Sequence, residues 1–230
     1  MSKKKKNSNY VTEKRENAKK EAERKERSRV IRTRVLAISI PLLVIAAIVV
    51  TLILVGGRFG WWDKKPVATQ HAAITVSGYG TLHVELYGDN APETVAAFTK
   101  LVEAKKYNNI RFDKLKDGKL ETTKIDATET FKGEFEDNGV ENTVKFKKGT
   151  LVMALADGPD SANGEFFIVT EDNKDLYGKY AAFGRIDEAS MPVLDAILED
   201  LAREGMVDAE GMIKVLERPK ITSVAIHEPH

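Results

Sequence analysis

The sequence predicts a mainly β outer domain, a closed or nearly closed antiparallel sheet with two helices, preceded by one transmembrane helix. Three observations predict it. In a chain of 230 residues, Val35 to Val55 forms an uncharged apolar run of 21 residues. From Ala73 onward, short apolar runs are broken by Gly and Asp, and two longer segments there carry helical spacing. Charge divides the chain in the same way. Residues 1–34 hold 14 Lys and Arg against 5 Glu, which leaves 22 basic and 30 acidic side chains for the rest of the totals of 36 and 35. The overall charge of +1 therefore describes neither part. The absence of Cys excludes disulfides, thiol catalysis and Cys-ligated zinc.

Residues 1–34 read as a basic cytoplasmic tail, 35–56 as a transmembrane helix, 57–70 as a linker and 71–230 as the folded domain. A span needs about 20 apolar residues to cross ~30 Å of hydrocarbon. A cleaved signal peptide has an apolar core of roughly 7–15 residues after a short basic start. Here a 34-residue tail precedes the run, and Trp61-Trp62 after it suit the headgroup boundary. Pro41 is compatible with a kinked span. Arg24, Lys25, Arg27, Arg29, Arg32 and Arg34 directly before the span keep the N-terminus cytoplasmic and the C-terminal domain outside. The expected location is the cell membrane, in a single pass. The tail has no apolar face, so it sets topology; contact with anionic headgroups or nucleic acid is the alternative.

The outer domain opens with alternation in Ala73–Val76 and Thr81–Tyr87 around Ser77-Gly78-Tyr79-Gly80, a hairpin signature. Asp89-Asn90-Ala91-Pro92-Glu93 then supplies cap candidates, an early proline and an acidic first turn. The helix that follows has Val95, Phe98, Leu101 and Val102 on one face. Short runs at 110–115, 143–146, 151–156, 166–170 and 181–186 read as strands. A second helix is expected from Met191 to Glu204, with Val193, Leu194, Ile197, Leu198 and Leu201 as its buried stripe. Lys220 to Ile226 reads as a last strand.

Leu86-Tyr87-Gly88-Asp89-Asn90-Ala91-Pro92-Glu93-Thr94-Val95 with Phe98 resembles the opening of cyclophilin-type peptidyl-prolyl isomerases. Phe135-Glu136-Asp137, Lys148 to Ala154, Gly164 to Ile168 and Tyr177 to Ile186 are similar to further motifs of that family, in family order. The resemblance implies a cyclophilin-like closed eight-stranded antiparallel barrel with two capping helices and a proline-binding groove on its outer surface. Where the family reads Phe-His-Arg-Val, this chain has Phe112-Asp113-Lys114-Leu115, so Lys114 stands in the place of the catalytic arginine. The family stretch Phe-Met-Ile-Gln aligns with Lys119-Leu120-Glu121-Thr122. The tryptophan position falls at Asp175 beside Leu176, and the groove histidine at Tyr180. Phe167, Met153 and Ala154 are retained. The substrate-binding set implied is Phe167, Met153, Ala154, Leu120, Thr122, Leu176 and Tyr180.

The activity implied is prolyl isomerisation by a membrane-tethered enzyme that assists folding of translocated proteins. Its partners are Xaa-Pro segments of unfolded or secreted proteins, and membrane lipid through residues 35–56. The alternative is a catalytically degenerate module that binds proline-containing segments, because an ammonium lacks the planar fork of a guanidinium. Other readings stand beside these. Lys114 reads equally as a solvated surface lysine and Met153 as core, and strand alternation puts one of Phe166 and Phe167 inside and the other in the groove. No cofactor or metal is expected: His71, His83, His227 and His230 show no ligand spacing, and Asp157–Gly164 lacks the pattern of a calcium loop. An acidic outer domain disfavours nucleic acid.

Overall fold

The computed structural model describes residues 66–126 and 129–227, together with residues 20, 24, 25, 27, 37, 46–48, 50 and 51. The chain divides into two compact units, Met1–Asp63 and Lys64–His230. In the first, the described residues are helical, and Thr51 Oγ1 donates to the Ala47 carbonyl at 2.7 Å. The expected span over 35–55 and the basic tail lie largely outside the described residues. Among those described, no helix is long and apolar enough to cross a membrane.

The described residues of the second unit form eight strands: β1 (Gln70–Val76), β2 (Gly80–Leu86), β3 (Phe112–Lys116), β4 (Lys119–Thr122), β5 (Thr150–Leu155), β6 (Ala162–Val169), β7 (Ala181–Ile186) and β8 (Ile221–His227). Its two longer helices are α1 (Pro92–Glu103) and α2 (Met191–Leu201). The strands form one antiparallel sheet in the order β3-β4-β6-β5-β7-β2-β1-β8. The β1–β2 hairpin turns at Gly78, whose φ of 83° suits glycine. β4 was not among the expected strands, because Leu120 is its only apolar residue. It exists because Asp117 (φ 50°) and Gly118 (φ 72°) make a two-residue turn with both centres left-handed, the geometry that matches strand twist.

The closed barrel is corrected to a curled half-barrel with a seam. β3 and β8 share no ladder; they meet at one bridge, Arg111 with Lys220, flanked by Phe112 N–H to Pro219 O and Ile221 N–H to Ile110 O, both 2.9 Å. The rest of the β3 edge is taken by residues 211–213, through Leu115 N–H to Gly211 O and Ile213 N–H to Asp113 O, both 2.8 Å. β8 has no edge left to pair with. The run 143–146 is likewise not a strand; its Val144 and Phe146 are buried without a ladder.

Inside the curl, Phe166 stands edge-on to Phe98, Tyr107, Phe112 and Phe183, with centroids 5.6–6.5 Å apart. α1 contributes Val95, Phe98 and Val102 to this core, and α2 contributes Leu194, Ile197 and Leu201. The start of α1 departs from the expected capping. Its N-cap is Ala91, with no side-chain bond, while Asn90 Nδ2 turns away to Thr143 Oγ1 at 2.8 Å. The cap comes from Glu134. Its carboxylate, on a residue only 4% exposed, accepts the N–H groups of Glu93 (3.0 Å) and Thr94 (2.7 Å).

Candidate active site

Because side chains alternate across a strand, the sheet has a second, outward face, and β5, β6 and β7 use it to bury a separate apolar cluster. That cluster holds Tyr87, Val144, Phe146, Val152, Phe167, Val169, Leu176 and Ala182, with Ala154 and Tyr180 packed against it. The register lines up one row across the sheet. Lys114 on β3 is opposite Glu121 on β4, Glu121 is opposite Phe167 on β6, and Phe167 is opposite Val152 on β5. Adjacent strands lie about 4.8 Å apart, so Lys114 and Phe167 are separated by roughly 10 Å, with Glu121 between them.

Glu121 binds two ammonium groups: Lys114 Nζ at 3.7 Å and Lys119 Nζ at 3.4 Å. Lys119 also sits over the Phe167 ring, its Nζ 5.6 Å from the centroid. Phe167 also meets Tyr180 edge to face, at 5.5 Å and 89°. These neighbours, with Val144, Phe146 and Leu176, leave Phe167 2% exposed. The outer face thus carries an apolar cluster with Phe167 covered inside it. Leu176 reaches it from a 3-10 turn, Lys174–Leu176, capped by Asn173 Oδ1 accepting the Asp175 N–H at 2.9 Å.

Three residues expected in the groove face the barrel interior instead. Met153 and Leu120 are fully buried among the inner core residues. Thr122 is 7% exposed; its hydroxyl donates to Phe166 O (3.0 Å) and accepts from Phe166 N–H (3.2 Å), continuing the β4–β6 ladder past its last backbone pair. The reason is the two-residue period: with Glu121 outward, Leu120 and Thr122 must point inward. Phe167, Ala154, Leu176 and Tyr180 lie in the outer cluster and Lys114 at its edge. Glu121 and Lys119 are the site residues that sequence reasoning missed. The signal was the Asp117-Gly118 turn, which pairs 116 with 119 and therefore, by counting back, 114 with 121.

Electrostatics around the row are mixed. Burial lifts the Asp113 carboxyl above its ordinary range, against the pull of Arg218 and Lys114 and with a smaller push from Glu121. Tyr87, a member of the cluster, is held protonated well above its usual range by burial and by donating to Glu85 at 2.9 Å. Among the described residues no group of three His, Asp or Glu side chains is arranged to hold a metal ion. What the row offers is an apolar floor for a ring, a positively charged donor two strands beyond it, and on the strand between them a carboxylate that orients that donor.

Comparison with known proteins identifies the family and the fold. Residues 71–226 match the family described as cyclophilin type peptidyl-prolyl cis-trans isomerase/CLD. A peptidyl-prolyl cis-trans isomerase of Acinetobacter baylyi is 34% identical over 130 residues, covering 51% of this chain and 66% of that protein. A probable peptidyl-prolyl cis-trans isomerase of Brucella suis is 30% identical over 148 residues, covering 59% and 72%. The chain spans 23% of the length of a Cryptococcus neoformans peptidyl-prolyl cis-trans isomerase-like 2, at 33% identity. Among solved structures, a Cryptosporidium parvum cyclophilin type isomerase, crystallised in the presence of the dipeptide Ala-Pro, superposes with a TM-score of 0.57. It is 23% identical and is covered completely by 70% of this chain, a likeness of fold. With a family match over residues 71–226 and the same fold, this chain belongs to the cyclophilin-type peptidyl-prolyl cis-trans isomerase family.

Proposed function

We propose that the chain is a peptidyl-prolyl cis-trans isomerase, tethered to the membrane through residues 35–56 with its N-terminus cytoplasmic, that assists folding of translocated proteins. The observation that carries the catalytic part is the row Lys114–Glu121–Phe167 on one outer face. Rotation about an Xaa-Pro bond faces a barrier of about 18–20 kcal/mol and needs no nucleophile or metal. It is accelerated by holding the twisted amide better than the planar one. In this reading the pyrrolidine ring takes the place of Tyr180 and Lys119 over Phe167, and Lys114 donates to the prolyl nitrogen as amide resonance is lost. Glu121 keeps the Lys114 ammonium aimed along the sheet. The Ala-Pro dipeptide present with the Cryptosporidium relative supports a ligand of the same class here.

Turnover is expected to be low, for two structural reasons. A lone ammonium orients less firmly than a guanidinium, and the pocket must open before it can bind. The closed pocket, with Phe167 2% exposed, favours as second reading a module that binds Xaa-Pro segments without turning them over. The test is isomerisation of an Ala-Pro peptide by the chain in detergent micelles. A rate above buffer that falls with Lys114→Ala and Phe167→Ala and rises with Lys114→Arg supports the enzyme. No acceleration by any of the four, with peptide-induced chemical shifts at Phe167 and Tyr180, supports the binding module. Protease digestion of the outer domain in intact cells tests the topology; protection until lysis rejects it.

A further inference from the structure

Lys119 is the unusual element of the pocket. It stands at the β3–β4 turn with its side chain 21% exposed, lying across Phe167 and drawn to Glu121. Two ammonium groups, Lys114 and Lys119, share the Glu121 carboxylate, with Asp113 close to Lys114 and the Glu171 side chain against Gly118 as the further acidic groups of this rim. Toward the far end of the site, two residues along β6 on the same face as Phe167, Glu165 accepts from the Asn163 side chain at 3.1 Å. Lys119, opposite Val169, and Glu165 thus stand at opposite ends of the β6 face that carries Phe167.

Resting on the proline-binding reading, we infer that Lys119 is a charged lid that makes this site select proline segments carrying an acidic residue next to the proline. A cation over an aromatic face is held by a modest attraction, and the Lys119–Glu121 pair, 3.4 Å apart and about a quarter exposed, is still partly screened by solvent. A carboxylate arriving with the ligand competes for the same ammonium. It draws Lys119 away from Phe167 and so removes one of the two groups that the prolyl ring must displace, Tyr180 being the other. A neutral neighbour leaves the lid in place, and a basic neighbour meets Lys119 and Lys114 with like charge. The lid thus links opening of the pocket to the charge of its occupant.

The experiment uses the chain in detergent micelles and three short peptides that differ only in the residue before proline: Glu, Ala or Lys. Binding is read from chemical-shift changes at Phe167 and Tyr180. The Glu-Pro peptide is expected to bind about two- to fivefold more tightly than Ala-Pro, with Lys-Pro weakest. That order should collapse as salt is raised, because the discrimination is between partly exposed charges. Lys119→Met keeps an apolar stem over Phe167 and removes the charge, and it should bind all three alike. Equal binding of the three peptides by the parent, or an unchanged order in Lys119→Met, overturns the charged lid while leaving the proline site intact. No shift with any peptide, in parent and variant alike, overturns the proline site and the lid with it.

Discussion

Glu134→Ala tests the most concentrated long-range dependence in the fold. The Glu134 carboxylate accepts two first-turn N–H groups of α1, at 3.0 and 2.7 Å, and the N-cap residue Ala91 has no side chain able to replace it. Truncation leaves both donors without an acceptor and removes a negative charge from the positive end of the helix. Loss of an N-cap costs about 0.5–2 kcal/mol, a charged hydrogen bond about 1.5–3, and the helix-dipole contribution about 0.3–1. These overlap, so a combined loss of about 3 kcal/mol is the expected outcome. For a domain of this size that corresponds to a fall in Tm of roughly 6–12 °C. Glu134→Gln keeps one acceptor oxygen and should lose about half as much. Thermal and urea unfolding followed by far-UV circular dichroism give the numbers, and amide exchange at Thr94 reports the helix start directly. A loss below about 1 kcal/mol for Glu134→Ala, with Thr94 exchange unchanged, would refute the reasoning.

Two identical substitutions should move stability in opposite directions. Thr122→Val strips the hydroxyl that serves both Phe166 backbone groups and should cost about 1–3 kcal/mol. Thr94 is fully buried and its Oγ1 has no partner among the described residues, so Thr94→Val should be neutral or stabilising by up to about 1 kcal/mol; urea titration of both variants checks the sign. Asp113, with its folded pKa raised by burial, favours the folded state fully when protonated, below its ordinary value of 3.8, and loses that contribution as pH rises through the raised value. Asp113→Asn should therefore gain on the parent as pH is raised from about 3 to 7, read as a widening Tm difference; a constant difference would exclude the burial effect. Gly164 has φ 92°, and a Cβ there would overlap Leu101 Cδ1 and crowd Ile125 Cδ1. Gly164→Ala should lose about 2–3 kcal/mol in the same assay.

Much of the fold was legible in the residues themselves. The strict alternation of Thr81–Leu86 and the one-sided apolar face of α1 carry their elements locally, and β5 to β7 stand out as apolar runs. What stayed hidden depends on partners far along the chain. Glu134 caps a helix some 40 residues before it, and no local pattern announces that. Val144 and Phe146 look like a strand because burial favours apolar residues whether or not a ladder is present. The failure at the site has a different origin. An ungapped alignment set Leu120 and Thr122 in the groove, and the parity of a strand makes such an assignment wholly right or wholly wrong. The Asp117-Gly118 turn held the parity in plain view and places Glu121 beside Lys114.

The sheet joins its beginning to its end. β1 pairs on one side with β2, only a turn away, and on the other with β8, where His71 faces His227 about 150 residues later. During synthesis the first strand therefore leaves the ribosome with one naked edge and keeps it until nearly the whole domain has followed. An unsatisfied edge of that kind invites pairing with a neighbouring nascent copy, so crowded expression penalises this architecture more than dilute refolding does.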